Sequence, residues 1–214
     1  MGWIRNHVRP QLVSEEQALP GRDTPVLFPM PAHEVFGLRL DEVPPGCEVA
    51  YFALGCYWGA EKVFWNTDGV VNTAVGFMGG YTPNPTYKET CTGSTGHAET
   101  VRVVFDPDRV SFERLVQVFF EHHDPTTANR QGNDVGTQYR SAIFPTSDAQ
   151  TSAAQRIRDA YQASLQDAGL GEITTEITPG KLFFYAEREH QQYLHKNPDG
   201  YDCHVRTGVA CPIP

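Results

Sequence analysis

The 214 residues carry 26 acidic against 17 basic side chains, a net charge of -9. An acidic surface of that kind repels polyanions and argues against nucleic acid and anionic membrane as partners. The apolar fraction of 40% is enough for one full core and sets one domain as the expectation. No run approaches the roughly 18 apolar residues of a membrane span. Met1 to His7 lack both the apolar stretch of an export signal and the hydroxyl residue of a myristoylation site. A soluble cytoplasmic protein is therefore expected. Its five cysteines, Cys47, Cys56, Cys91, Cys203 and Cys211, are odd in number and argue against an extracellular disulfide framework.

In chain order, residues 1–46 form a proline-rich arm without sustained periodicity, in which Val26, Leu27, Phe28, Val35 and Phe36 are candidates to pin it to the body. Residues 47–197 make up the core. Ala50 to Leu54 is a short continuous apolar run, as in a strand buried on both faces. After Gly55-Cys56, Trp58 to Asn66 reads as a helix with Ala60, Val63 and Phe64 on one side, ended by Asp68-Gly69. Val71, Thr73, Val75 and Phe77 alternate as a strand, and so do Val101, Val103 and Phe105, closed by Asp106-Pro107. Gly76 to Tyr87 between them reads as a loop dense in turn residues. Ser111 caps a helix whose stripe is Phe112, Leu115, Val116, Phe119 and Phe120. Ser141 to Phe144 is a short strand. Ser147 caps a longer helix that ends at Gly169. Ile173, Thr175 and Ile177 alternate again, and Ala186 to Lys196 suits a last helix stopped by Asn197-Pro198. The order βαββαβ with additions predicts an α+β two-layer sandwich of the ferredoxin-like kind, with a mixed or antiparallel sheet. Residues 198–214 show no period and read as a long, irregular, mobile tail, yet they hold two of the five cysteines.

Cys56 is the residue with the strongest chemical signal. It joins a buried strand to a helix, so it faces the free N–H groups and the positive dipole end of a helix N-terminus. A thiolate is stabilised there. A cysteine with a pKa near 8.5 is about 3% thiolate at pH 7, and a fall of roughly 1.5 units, worth about 2 kcal/mol, brings that to about half. The alternative is a small buried hydrophobe, which is the commoner fate of an isolated cysteine. Tyr57 and Trp58 are either core aromatics or an apolar wall beside the nucleophile. Tyr87, in its glycine-rich loop, offers a phenol donor. Glu99 opens a strand; left in solvent it is an ordinary carboxylate, but desolvated beside Trp58 its pKa rises and it becomes a general acid. Gln131 to Ser141 is a polar, glycine-bearing loop in which Asp134 and Tyr139 are candidates to orient groups in a site. Cys203 and Cys211 fit the resolving side of a thiol redox cycle. Cys47 and Cys91 read as structural or incidental thiols.

Together these segments resemble the A-type peptide methionine sulfoxide reductases over roughly residues 48–214. Gly55-Cys56-Tyr57-Trp58-Gly59-Ala60-Glu61 is similar to the family's active-site signature. Gly80 to Tyr87 with Gly96-His97-Ala98-Glu99, then Gln131 to Ser141, then Gln191-Gln192-Tyr193-Leu194, match three further blocks in order. The resemblance implies reduction of the S epimer of methionine sulfoxide, free or in proteins. By position, Cys56 attacks the sulfoxide sulfur, Glu99 supplies a proton, and Tyr87 and Tyr139 hydrogen-bond the oxygen. Tyr57 and Trp58 hold the methyl group, and Asp134 orders the site. Cys203 then forms a disulfide with Cys56, and Cys211 takes it over. The resemblance implies no bound cofactor or metal, with thioredoxin or a small dithiol as reductant. Two positions depart from the family's pattern: Tyr57 stands where Phe is usual, and Asp202 separates Tyr201 from Cys203, which His204-Val205-Arg206 follow in place of glycines. A cysteine hydrolase or acyltransferase needs a histidine base, for which His97, His122 and His123 are available. A zinc module drawn from His195, Cys203, His204 and Cys211 lacks the paired short spacings of zinc sites.

Overall fold

A computed structural model describes residues 10–180, 182–202 and 205–214. Strands β1 (Glu48–Leu54), β2 (Val70–Met78), β3 (Ala98–Phe105) and β6 (Ser141–Phe144) form the body of a six-stranded sheet. Short edge strands β7 (Glu176–Ile177) and β8 (Phe184–Tyr185) complete it in the order β7-β6-β1-β3-β2-β8. All pairings are antiparallel except β6 with β7, which makes the sheet mixed. A separate hairpin pairs β4 (Arg130–Gln131) with β5 (Asp134–Val135).

The helices are α1 (Tyr57–Trp65), α2 (Tyr87–Thr90), α3 (Phe112–Glu121), α4 (Asp148–Asp167) and α5 (Tyr193–Lys196). Strand alternation sorts the side chains onto two faces. Phe52, Leu54, Val75, Phe77, Val101, Val103 and Phe105 join the stripes of α1, α3 and α4 in the main core. The opposite face carries Ala53, Met78, Ala98, Ala142 and Phe144 in one cluster and Ala74 with Leu27 and Leu40 of the N-terminal arm in another. Both faces are therefore covered, which is why β1 reads as an unbroken apolar run. Ser111 and Ser147 cap α3 and α4 as expected, each accepting an N–H from the third residue of its helix.

Described residues of the arm meet the body, but fewer of the apolar ones do so than expected. Leu27 is buried and Phe36 packs on the core, whereas Phe28 is 85% exposed. Polar anchors do much of the rest. Buried His33 meets Thr73 Oγ1 at 2.8 Å, and Arg22 donates to the Glu89 carboxylate through Nη1 and Nη2.

Several elements differ from the sequence reading. The segment read as one helix from Ala186 is helical only at Tyr193–Lys196. Gln192 there has φ +47, and the side chains of Gln191 and Gln192 reach into β2 and α1 instead of solvating a helix surface. The strand read over Ile173 to Ile177 pairs only at Glu176–Ile177. Tyr87 opens a short helix rather than ending a loop, because Thr86 and Glu89 form a capping box. In the tail, no described residue after Lys196 forms a helix or strand. Its end is nonetheless docked. Tyr161 Oη lies 2.7 Å from Thr207 Oγ1 and donates to Val209 O at 3.1 Å. Cys211 N donates to Glu121 Oε1 at 3.1 Å, and Gln117 Nε2 donates to Cys211 O.

Candidate active site

The connection from β1 to α1 turns at Gly55, where φ is +97, and a Cβ there would lie 2.7 Å from the side chain of Gln131. This close approach seats the Gln131 loop over the turn. Cys56 follows as the N-cap residue of α1, almost buried at 7% exposure. The helix N-terminus expected for the thiol is thus formed.

Glu99 reaches this point from the sheet. Residue alternation puts it on the same face as Val101, Val103 and Phe105, opposite Phe77 in the pairing of β2 with β3. Its Oε2 accepts the N–H of Tyr57, the first amide of α1, at 3.0 Å. Its Oε1 is buried and has no hydrogen-bond partner among the described residues. Burial pushes the carboxyl up to about 8, against the Tyr57 amide, which favours the charged form; the negative field of Asp134 adds to the rise. Glu99 is then a neutral acid at pH 7 with one oxygen left for a ligand.

Three tyrosines gather around that carboxyl. Tyr57 is fully buried, its ring 5.8 Å from Phe77 and 6.2 Å from Tyr87, and its hydroxyl has no partner among the described residues. Tyr87 sits at the start of α2, its N–H held by Glu187 at 2.9 Å. Tyr139 ends a short 3-10 turn, Thr137–Tyr139. Burial and the facing Glu99 hold the phenols of Tyr87 and Tyr139 well above their usual value, so both are donors at any working pH. The same field at Tyr139 includes Asp134 and Cys56, and at Tyr87 it includes Cys91. Cys91 therefore borders the site instead of lying apart from it. Asp134 accepts a hydrogen bond from Tyr201 Oη at 3.1 Å, which ties the tail to the site's rim. Trp58 stacks on Tyr193 at 3.9 Å and donates its indole N–H to His190 Nδ1 at 3.2 Å.

The structure thus brings Cys56, Tyr57, Trp58, Tyr87, Glu99, Asp134 and Tyr139 to one place. Cys211 is not among them. It is 1% exposed in the core beside α3 and α4, its thiol pushed up to about 12 by burial and the nearby Glu121. Cys203 and His204 lie outside the described residues. His97, a base candidate of the hydrolase reading, has both ring nitrogens engaged: Nδ1 accepts from Gly80 N–H at 3.0 Å, and Nε2 contacts Thr82 O at 2.8 Å. His123 spends its ring on Phe119 O and Ser141 Oγ, both at 2.7 Å. Neither is left to activate Cys56.

Sequence reasoning missed two residues of this neighbourhood, His190 and Glu187, and gave no role to Glu61 and Tyr193, which it quoted only as members of matching blocks. Glu61 is a buried residue of α1. It accepts from Thr73 Oγ1 at 3.0 Å and from Gln192 N and Nε2 at 2.8 and 2.7 Å, while burial raises it to about 7. A charged residue inside an apolar helix stripe, four positions after Tyr57, was the available signal.

A thiol at a helix N-terminus, set against a neutral buried carboxyl and two phenols, with the rings of His97, His122 and His123 each bonded elsewhere among the described residues, is the layout of a cysteine-dependent redox enzyme rather than a hydrolase. The family model for peptide methionine sulfoxide reductase matches residues 48–211. A peptide methionine sulfoxide reductase MsrA of Cronobacter sakazakii is 56% identical over 204 residues, covering 94% of this chain and 95% of its own length. The mitochondrial peptide methionine sulfoxide reductase of Bos taurus is 53% identical, covering 95% and 87%. Among solved structures, methionine sulfoxide reductase A of Corynebacterium diphtheriae superposes with a TM-score of 0.86 at 54% identity, covering 96% of this chain and 100% of that one. Reduced Mxr1 of Saccharomyces cerevisiae is 37% identical with a TM-score of 0.71, covering 77% and 95%, and Mxr1 has also been solved in complex with Trx2. The chain belongs to the peptide methionine sulfoxide reductase family.

Proposed function

We propose that this chain reduces the S epimer of methionine sulfoxide, free and within proteins, through a thiol cycle on Cys56. The observation that carries the reading is Glu99: neutral at pH 7, bonded through one oxygen to the amide that follows Cys56, and with its other oxygen open. In the first step Cys56 thiolate attacks the sulfoxide sulfur, and Glu99 gives its proton to the oxygen, which Tyr87 and Tyr139 hold by hydrogen bonds. The protonated oxygen then passes from the substrate sulfur to the Cys56 sulfur: the substrate S–O bond and the transient bond between the two sulfurs break, an S–O bond forms on Cys56, methionine leaves, and Cys56 is a sulfenic acid. Substrate sulfur gains two electrons and Cys56 loses two; Glu99 takes its proton back from solvent. Tyr57 and Trp58 hold the methyl group, and Asp134 helps to order the site, its charge adding to the burial that keeps Glu99 protonated.

Recycling uses the tail. Cys203 condenses with the sulfenic acid to a disulfide and water, and Cys211 attacks Cys203 to release Cys56. Thioredoxin, or a small dithiol, then reduces the tail disulfide, and the cycle calls for no bound cofactor or metal. Cys211 leaves its seat against α3 and α4 for its step, since a buried thiol near 12 is no nucleophile. The β1-α1-β2-β3-α3-β6 unit, with sheet order β6-β1-β3-β2, supports reading the core as a ferredoxin-like sandwich. The chain is one catalytic domain of arm, core and tail, and its thiol cycle suits a reducing cytoplasm.

The test is a single turnover of fully reduced protein on each sulfoxide epimer, with thiols counted before and after. A burst of methionine stoichiometric with enzyme is expected from the S epimer and none from the R epimer, with two thiols lost for the first methionine. Cys56→Ser should release none. Methionine release by Cys56→Ser, or no release from the S epimer by the natural chain, overturns the reading.

A further inference from the structure

A methionine sulfoxide inside a protein brings its polypeptide with it, and the residues beside it must lie on this surface. Next to the catalytic site is an open cleft of about 340 Å³. Two elements of the site also build the cleft. Helix α2 begins with Tyr87 at the site and is capped at its other end by Cys91, which lines the cleft. The 3-10 turn ends with Tyr139 at the site and begins with Thr137 in the cleft. Cys91 N donates to Tyr87 O at 2.9 Å, and the Cys91 thiol bonds the Tyr87 phenol. Cleft and site thus share walls.

The cleft is suited to a peptide in three ways. Its lining contains no Asp, Glu, Lys, Arg or His, in a chain of which 20% is charged. Val13 and Val135, the latter 56% exposed, supply apolar ground there. Thr137 is only 2% exposed, yet its Oγ1 has no hydrogen-bond partner among the described residues. A Cβ built on Gly93 would have that atom as its nearest contact, at 3.6 Å, so the hydroxyl faces room between the two walls. A buried hydroxyl without a partner is costly until a ligand supplies one. The third feature is the edge of β5. The Gly136 N–H donates toward β4, to Asn129 O at 2.9 Å. Antiparallel alternation then turns the N–H and C=O of Val135 outward. No strand pairs with that edge among the described residues.

We propose that this cleft is a subsite for the substrate polypeptide. Residues beside the methionine sulfoxide run extended along the outer edge of β5, bonded to the Val135 backbone. One uncharged, apolar side chain settles against Val135, Val13 and Cys91, and a peptide group pairs with the Thr137 hydroxyl. The inference rests on the reading of the chain as a reductase of protein-bound sulfoxide. Main-chain bonds to a strand edge accept any sequence, while the pocket beneath selects the side chain. An acidic neighbour is disfavoured, because its charge would lose water in a lining without a cation and beside Asp134.

The test uses the full, reduced chain in single turnovers on three probes. They are free methionine S-sulfoxide and two blocked pentapeptides that carry the sulfoxide between pairs of valines or pairs of aspartates. The valine peptide should half-saturate the protein at a concentration roughly 3- to 10-fold below the aspartate peptide, the worth of partly burying one apolar side chain. Limiting rates should differ less. Val135→Glu, which places a charge on the rim of the cleft, should erase the preference. Thr137→Val keeps the shape and drops the hydroxyl. It should raise the half-saturating concentration of the valine peptide roughly 3- to 10-fold relative to that of the free sulfoxide. Its unfolding stability should be equal or higher, since folding forms no bond to that hydroxyl. The valine peptide with unoxidised methionine should shift the 15N–1H resonance of Val135 in the natural chain. The proposal is overturned by equal saturation with the two peptides, or by a preference that survives Val135→Glu. A peptide-to-free ratio unmoved by Thr137→Val, or a loss of stability in that variant, overturns it as well. The two readings fail separately: inactivity on all three probes sinks the sulfoxide assignment, whereas the Val135 resonance tests the cleft without turnover, and its failure to move sinks the subsite.

Discussion

Glu99→Gln should make the protein both slower and more stable, and the two effects have one cause. Glu99 is buried, with its carboxyl raised from 4.5 to about 8. That rise of 3.5 units corresponds to about 5 kcal/mol at full ionisation. A carboxyl whose folded value lies above its unfolded one leaves stability intact below pH 4.5 and withdraws it as pH climbs through 8. By this linkage the cost is about 1 kcal/mol at pH 5, about 3 at pH 7 and about 4 at pH 8. An amide never ionises, and its oxygen can still accept the Tyr57 N–H, so the variant escapes that cost. It cannot give a proton, so the reductase step should slow by roughly 10²–10⁴-fold. Urea unfolding of both proteins at pH 5, 7 and 8, beside single-turnover rates at the same pH values, measures the pair of effects. The natural chain's rate should fall as pH rises through about 8, and the variant's should lose that limb. A stability difference that does not grow from pH 5 to pH 8, or an unchanged rate at pH 7, refutes the assignment of Glu99 as a buried neutral acid.

Tyr57→Phe removes a buried hydroxyl that has no partner among the described residues. It should raise unfolding stability by about 1 kcal/mol or more, and a loss of stability would mean the hydroxyl is bonded. In the tail, Cys203→Ser should still release methionine in a single turnover and then stall at the sulfenic acid. Cys211→Ser should instead lose most thioredoxin-driven turnover after the Cys56–Cys203 disulfide has formed. Exposed Cys91 should react with iodoacetamide well before buried Cys211, and Tyr161→Phe, which loses contacts to Thr207 and Val209, should speed the labelling of Cys211. Mass spectrometry of the labelled peptides reads this, and equal rates for Cys91 and Cys211 in the reduced natural chain would show that the tail is not docked.

Local patterns in the chain were enough to place β1, β2, β3, β6, α1, α3 and α4, because their apolar spacings and serine caps are properties of neighbouring residues. They were also enough to put Cys56 at a helix N-terminus, since a buried run ending in Gly-Cys before an amphipathic stretch has few other foldings. The short elements were not legible in this way. β7 and β8 exist only because β6 and β2 offer free edges. The helical spacing of Ala186 to Lys196 was overridden by bonds from Gln191 and Gln192 to β2 and Glu61, residues more than a hundred positions away. The sequence could name Glu99 as an acid only on condition that a cavity formed around it. Tertiary packing supplies that condition: β3 carries Glu99 under the first turn of α1, and removal from water, not any neighbour in sequence, raises its pKa. The same holds for the place of His190, which no local pattern marks. It meets Trp58 across 132 positions of chain, and the seating of Cys211 against α3 and α4 was likewise decided by contacts that no local pattern encodes.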